Sequence, residues 1–116
     1  MSVKRFEDLI AWQKAQDLAV EVYRHFSESK DFGFRNQICD AAVSISNNIA
    51  EGFYRSSKAD FTRFLYFSLG SCSEIKSMLY LADKLNYIKT ENKNLLLEDS
   101  DEVSKILRGL IKSLNK

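Results

Sequence analysis

Proline is absent from this 116-residue chain. Turn-rich all-β proteins of that length ordinarily use several prolines in their connections, so the absence points to long helices joined by short links. Glycine is scarce: Gly33, Gly52, Gly70 and Gly109 stand alone, which excludes a glycine-rich phosphate loop. His25 is the single histidine, which excludes three-histidine zinc sites and histidine-pair helices. The paired Glu-x-x-His of carboxylate-bridged di-metal bundles is missing too. The two cysteines, Cys39 and Cys72, each fall inside an apolar helical pattern and read as reduced core thiols. No apolar run reaches the roughly 18 residues of a membrane span, and nothing resembles a signal peptide; the expected setting is the cytoplasm, away from membranes. These absences point to no metal, no cofactor and no enzyme.

What remains is a globular composition. The hydrophobic fraction is 45%, and 17 basic residues stand against 16 acidic ones for a net charge of +1. That balance argues against a highly basic nucleic-acid coat protein, though it leaves room for a local basic stripe.

Apolar periodicity predicts one domain over residues 1–116, built from helices at about 7–29, 34–55, 58–86 and 91–115. The first carries Leu9, Trp12, Ala15, Ala19, Val22 and Phe26 on one face. Gly33 is read as the punctuation after it. The second carries Ile38, Ala41, Ala42, Ile45, Ile49 and Phe53, and is rich in small and polar residues. Its adjacent Asn47 and Asn48 are poor helix formers, an expense best explained by specific hydrogen bonds. Ser57 reads as the N-cap of the third helix, with Asp60 three residues on. Thr90 reads as the N-cap of the fourth, whose stripe is Leu96, Val103, Leu107, Leu110 and Leu114. The acidic run Glu98, Asp99, Asp101 and Glu102 is expected to strain that helix near Ser100.

The third helix has two apolar stripes. Phe61, Leu65, Ser68, Cys72, Ile75, Leu79 and Ala82 keep a heptad spacing; Phe64, Phe67, Ser71, Met78, Leu81 and Leu85 form a second line about a third of a turn away. One partner face cannot bury both. Either this helix is central, or its second face meets another subunit, with Phe64, Phe67, Met78 and Leu81 at the interface. Four amphipathic segments with short links predict an all-α, antiparallel up-down-up-down four-helix bundle.

Two basic groupings are candidate phosphate contacts. Lys105, Arg108, Lys112 and Lys116 stack on one face of the fourth helix, where they also complement the helix dipole. Arg55, Lys58 and Arg63 flank the link between the second and third helices. For both, a solvated face competes with binding to nucleic acid. Ser44, Asn48, Glu51 and Arg55 form a polar strip on the second helix. It reads either as an intrahelical ion pair with cross-helix hydrogen bonds, or as a polar lock that fixes the register of helices or subunits.

The stretch Ser44-Ile45-Ser46-Asn47-Asn48-Ile49-Ala50-Glu51-Gly52-Phe53-Tyr54-Arg55 resembles the hallmark Ser-Ile-x-x-Asn-Ile-Ala-Glu-Gly-x-x-Arg. That hallmark belongs to the four-helix-bundle proteins first noticed as products of intervening sequences in large-subunit ribosomal RNA genes. Phe6–Ala15, Gln37-Ile38, Phe61 with Arg63-Phe64-Leu65, and Gly70-Ser71 with Glu74 are similar as well, so the resemblance covers nearly the whole chain. It implies a homopentamer without enzymatic activity. A related branch, the accessory protein of diversity-generating retroelements, is a pentameric barrel that binds nucleic acid and a reverse transcriptase. By this resemblance the expected partners are further copies of the chain and structured RNA or DNA. The departures are specific. Cys39 and Asp40 stand where the family often has two arginines, Ser46 where it often has proline, and Gly33-Phe34 after Asp31 where it has Gly-Leu. The lost arginines favour the other expectation, a structural or protein-recruiting scaffold with no nucleic-acid ligand.

Overall fold

The computed structural model describes residues 3–116. Among them are four α-helices and no strand: α1 spans Ile10–Phe26, α2 Phe32–Phe53, α3 Lys58–Lys84 and α4 Thr90–Leu114, with a 3-10 turn at Phe6–Asp8 ahead of α1. The molecule is a rod of 43 × 22 × 19 Å. Its length is that of α3, since 27 residues rise about 40 Å.

Local chemistry sets the helix ends, and it corrects the predicted starts of α1, α2 and α4; α1 also ends at Phe26, short of the predicted Ser29, with the Ser27 N–H closing it on the Tyr23 carbonyl. α1 starts later than its periodicity predicts, because Leu9 is extended (φ −75°, ψ 127°) and turns its side chain into the core. α2 starts earlier, because Asp31 caps it: its carboxylate accepts a hydrogen bond from the Phe34 N–H at 3.1 Å. Gly33 therefore lies inside the first turn of α2 and punctuates nothing. An acidic N-cap is worth about 1 kcal/mol, enough to offset the weak helix propensity of glycine. Thr90 is the first residue of α4, not its cap; its hydroxyl donates to Asp83 at 2.9 Å instead. Ser57 caps α3 as its spacing predicts, accepting from the Asp60 N–H at 3.1 Å.

The expected strain in α4 does not appear. The helix runs through a buried Ser100, whose hydroxyl points to the Cys72 carbonyl at 3.5 Å. The acidic run faces solvent, and two of its four carboxylates meet cations of neighbouring helices, with Lys14–Glu102 at 3.3 Å and Lys76–Asp101 at 3.2 Å. Burial and then the like charges of Glu102, Glu21 and Glu98 raise the pKa of Asp99.

Each helix packs on two others. α2 has its most extensive contact with α3, α1 lies on α2 and α4, and the diagonal pairs meet only through side chains in the shared core, with no close backbone approach. α3 is thus at a corner of the bundle, and much of its second apolar stripe stays open. The first stripes enclose the core: Val22, Phe26, Ile38, Ile45, Ile49, Leu65, Ile75, Leu79, Val103 and Leu107 are essentially inaccessible.

The α2–α3 seam owes its closeness to small residues. A Cβ on Gly52 would sit 2.6 Å from the Phe64 Cβ and 3.0 Å from the Phe61 ring. The Ser68 hydroxyl donates to the Ile45 carbonyl at 2.8 Å, and Ser71 donates to Ser44 at 3.0 Å. Gly70, on the outer side of α3, has nothing within 4 Å of the equivalent position. The same substitution therefore has opposite expected effects at the two glycines. Gly52→Ala should destabilise by about 1–3 kcal/mol through overpacking. Gly70→Ala should stabilise by about 0.5–1 kcal/mol through helix propensity. Urea denaturation of both variants checks the signs.

At the opposite end of the seam, Asn86 adopts φ 60° and closes α3, with the Tyr87 N–H returning to the Ala82 carbonyl at 2.8 Å. Tyr87 then reaches back to α2: its hydroxyl donates to Asp31 at 2.8 Å, and its ring stands edge-on to Phe34. The Phe34 N–H, and after it the Tyr87 hydroxyl, hold the Asp31 carboxyl below its ordinary pKa. A depressed carboxyl gives stability that is complete above its unfolded pKa of about 3.9 and is lost as pH falls through the lower native value. Asp83 is lowered in the same direction, by Thr90 and then Lys93. Asp31→Asn should therefore flatten, without abolishing, the acid-side fall in stability. Urea midpoints measured from neutral pH to below pH of about 3.9 test this.

Candidate nucleic-acid interface

The two basic groupings are built differently. At the α2–α3 link, Asp60 ties two arginines together: Arg63 donates to its Oδ1 through Nε at 2.9 Å and Nη2 at 2.8 Å, and Arg55 Nε stands 3.8 Å from its Oδ2. Arg55 also pairs with Glu51 at 3.2 Å. Both guanidinium groups lie over the Phe64 ring, at 4.6 Å for Arg55 and 5.0 Å for Arg63. Phe64 thus has glycine beneath it and two cations above, which is why it is only 6% exposed. These arginines are partly neutralised and held in place. Lys58 is exposed, and among the described residues no carboxylate stands within 4 Å of it.

The α4 cations carry no such partners. Lys105, Arg108, Lys112 and Lys116 are all exposed, and again among the described residues no carboxylate lies within 4 Å of any of them. A contact remote in sequence brings the two groupings together. The Asn115 amide donates to the Thr62 hydroxyl at 3.1 Å, which sets the last turn of α4 against the first turn of α3. Lys112 and Lys116 therefore share one end of the rod with Lys58 and Arg63. Arg108 lies further along, in a groove with Cys72, Ser73, Lys76, Asp101, Ser104 and Lys105. Burial pushes the Cys72 thiol at the base of that groove up to about 11, so it remains a thiol and part of the core.

The polar strip divides into local and cross-helix bonds. Asn48 turns back on its own helix, donating to the Ser44 carbonyl at 2.9 Å and the Ser44 hydroxyl at 3.0 Å. Ser44 accepts from Ser71 across the seam, while Glu51 and Arg55 pair along α2. Asn47 is exposed. Ser46, at the position often held by proline, accepts from Gln16 of α1 at 3.0 Å. Cys39, at one of the two positions often held by arginine, is buried, and Asp40 is exposed.

The four residues expected at a subunit interface separate into two pairs. Phe64 and Met78 are buried within the chain, at 6% and 9% exposure. Phe67 and Leu81 stay open at 46% and 47%, continued by Leu85 along the same side of α3. The sequence stripe does not mark Tyr54 and Tyr66, which are the most exposed aromatics near the basic end. Among the described residues no helix is long and apolar enough to cross a membrane, and no group of three or more His, Cys, Asp or Glu is placed to hold a metal ion. His25 is exposed, with Nδ1 2.9 Å from the Glu21 carbonyl.

The protein is therefore an all-α chain of four helices, with a compact α2–α3 seam and a cationic end. The family model described as 23S rRNA-intervening sequence protein matches residues 7–109, and the chain belongs to that family. No curated protein matches it. Among solved structures, it is similar to a protein of unknown function from the S23 ribosomal protein family of Bacteroides thetaiotaomicron. The TM-score is 0.82 and the identity 31%, over 89% of this chain and 99% of the other.

Proposed function

We propose that this chain is a non-enzymatic, antiparallel helical bundle that assembles with copies of itself into a homopentamer and binds structured RNA or DNA at its basic end. The contact between Asn115 and Thr62 carries the binding reading, because it joins two cationic groupings that the sequence keeps about fifty residues apart. The antiparallel arrangement is supported by the order of contacts along the seam. Partners on α3 descend as those on α2 ascend: Gln37 with Glu74, Ser44 with Ser71, Ile45 with Ser68. Assembly is supported by Phe67, Leu81 and Leu85, an apolar line on a corner helix that its own bundle leaves uncovered.

Each element has its own measurement. Sedimentation equilibrium should show an oligomer at micromolar protein, shifted toward monomer by Leu81→Glu; a wild-type monomer overturns the assembly. Fluorescence anisotropy with structured RNA and duplex DNA should show binding that weakens steeply with salt. Replacing Lys105, Arg108 and Lys112 by alanine should lower the slope of log affinity against log salt by about one per lost phosphate contact. Unchanged binding in that variant removes the α4 stripe from the interface.

One observation favours a scaffold that recruits protein instead: Arg55 and Arg63 are already engaged by Asp60 and by the Phe64 ring. A pull-down that recovers one protein and no nucleic acid decides for that reading.

A further inference from the structure

The groove between α3 and α4 is lined with charge, and the helix register sets an exposed ring beside its mouth. It measures about 330 Å³, and Lys76, Lys105 and Arg108 face a single carboxylate, Asp101, already engaged by Lys76 at 3.2 Å. Lys112 continues the cations toward the end of the rod, one turn beyond Arg108. On the α3 side, Tyr66 is 56% exposed. It lies one turn beyond Thr62, hence between the Asn115 contact and the groove at Ser73. One more turn along, Gly70 offers open space where any other residue would project a side chain. Tyr66 is also offset from the proposed subunit contact, since around α3 Phe67 and Leu85 point about 100° away from it and Leu81 about 60°.

A row of unpaired cations beside an exposed aromatic with a clear shelf has a specific complement. Cations follow a phosphate backbone, and a ring accepts the face of a base, but only a base that is not stacked inside a duplex. A duplex would satisfy the cations and leave the tyrosine unused. We infer that the α3–α4 groove takes an unpaired stretch of nucleic acid, with phosphates on Lys105, Arg108 and Lys112 and a base stacked on Tyr66 over Gly70. This rests on the nucleic-acid reading of the basic end and narrows its ligand to single-stranded segments, such as loops and overhangs.

The experiment compares a labelled single-stranded oligonucleotide with a duplex of equal length, by anisotropy at several salt concentrations. The wild type should prefer the single strand. Tyr66→Ala should weaken single-strand binding by about fivefold or more and leave its salt slope and duplex binding unchanged. Tyr66→Phe keeps the ring and should bind as wild type, whereas Arg108→Ala should lower the salt slope for both ligands. Circular dichroism and sedimentation of the Tyr66 variants should match wild type, the side chain being exposed. Equal affinity for both ligands with an inert Tyr66→Ala overturns the stacking inference and leaves nucleic-acid binding standing. Binding of neither ligand overturns both. Competition by polyglutamate as effective as that by unlabelled oligonucleotide also overturns it, since an acidic peptide would then suffice.

Discussion

The approach of α2 to α3 at Gly52 sets the terms for the rest of the molecule. Without a side chain at that position, Phe64 enters the seam; with Phe64 in the seam, Arg55 and Arg63 have a ring to lie on, and Asp60 has two guanidinium groups to hold. The hallmark Asn-Ile-Ala-Glu-Gly-x-x-Arg is intelligible in these terms. Ile49 fills the core, Asn48 satisfies its amide on its own helix, Glu51 anchors Arg55, and Gly52 admits the aromatic. Exposed ion pairs of this kind contribute little individually, commonly below about 1 kcal/mol. Their role here is to orient side chains around a buried ring, and the hydrophobic contact supplies most of the stabilisation.

Much of the fold was legible because burial in a helical bundle follows a 3.6-residue period, and the core positions of all four helices obey it. Every member of the first α3 stripe, Phe61 to Ala82, is buried. The helix ends were less legible because they depend on single hydrogen bonds. A cap at Asp31 outweighed a glycine two residues later, and a backbone break at Leu9 fell inside an unbroken pattern. The acidic run of α4 does repel, as the raised Asp99 carboxyl records, but the helix stays continuous; the counter-charges of Asp101 and Glu102 come from α3 and α1 and are invisible along the sequence.

The candidate site was legible as residues and not as a place. Periodicity showed that Lys105, Arg108 and Lys112 share a face, and composition showed a second group near the α2–α3 link. Their meeting depends on a contact between Thr62 and Asn115 that no local pattern encodes. Tyr66 was missed for another reason. It falls outside both apolar stripes, and an apolar-periodicity reading assigns no role to an aromatic on the solvent side. Its significance comes from its neighbours: an empty position at Gly70 and cations across the groove. The second α3 stripe likewise resolved only in three dimensions, with Phe64 and Met78 turned inward and Phe67 and Leu81 left outside.

A net charge of +1 conceals how unevenly that charge is spread. The carboxylates of α4 sit in its first half and its unpaired cations in its second, so the rod carries an electric dipole along its 43 Å axis. In the field of a polyanion such a body feels a torque before it feels much attraction. It turns tip-first while still at a distance, and collisions at the basic tip outnumber those at the waist. For a nearly neutral protein, the bias at encounter then lies in orientation and hardly at all in long-range capture.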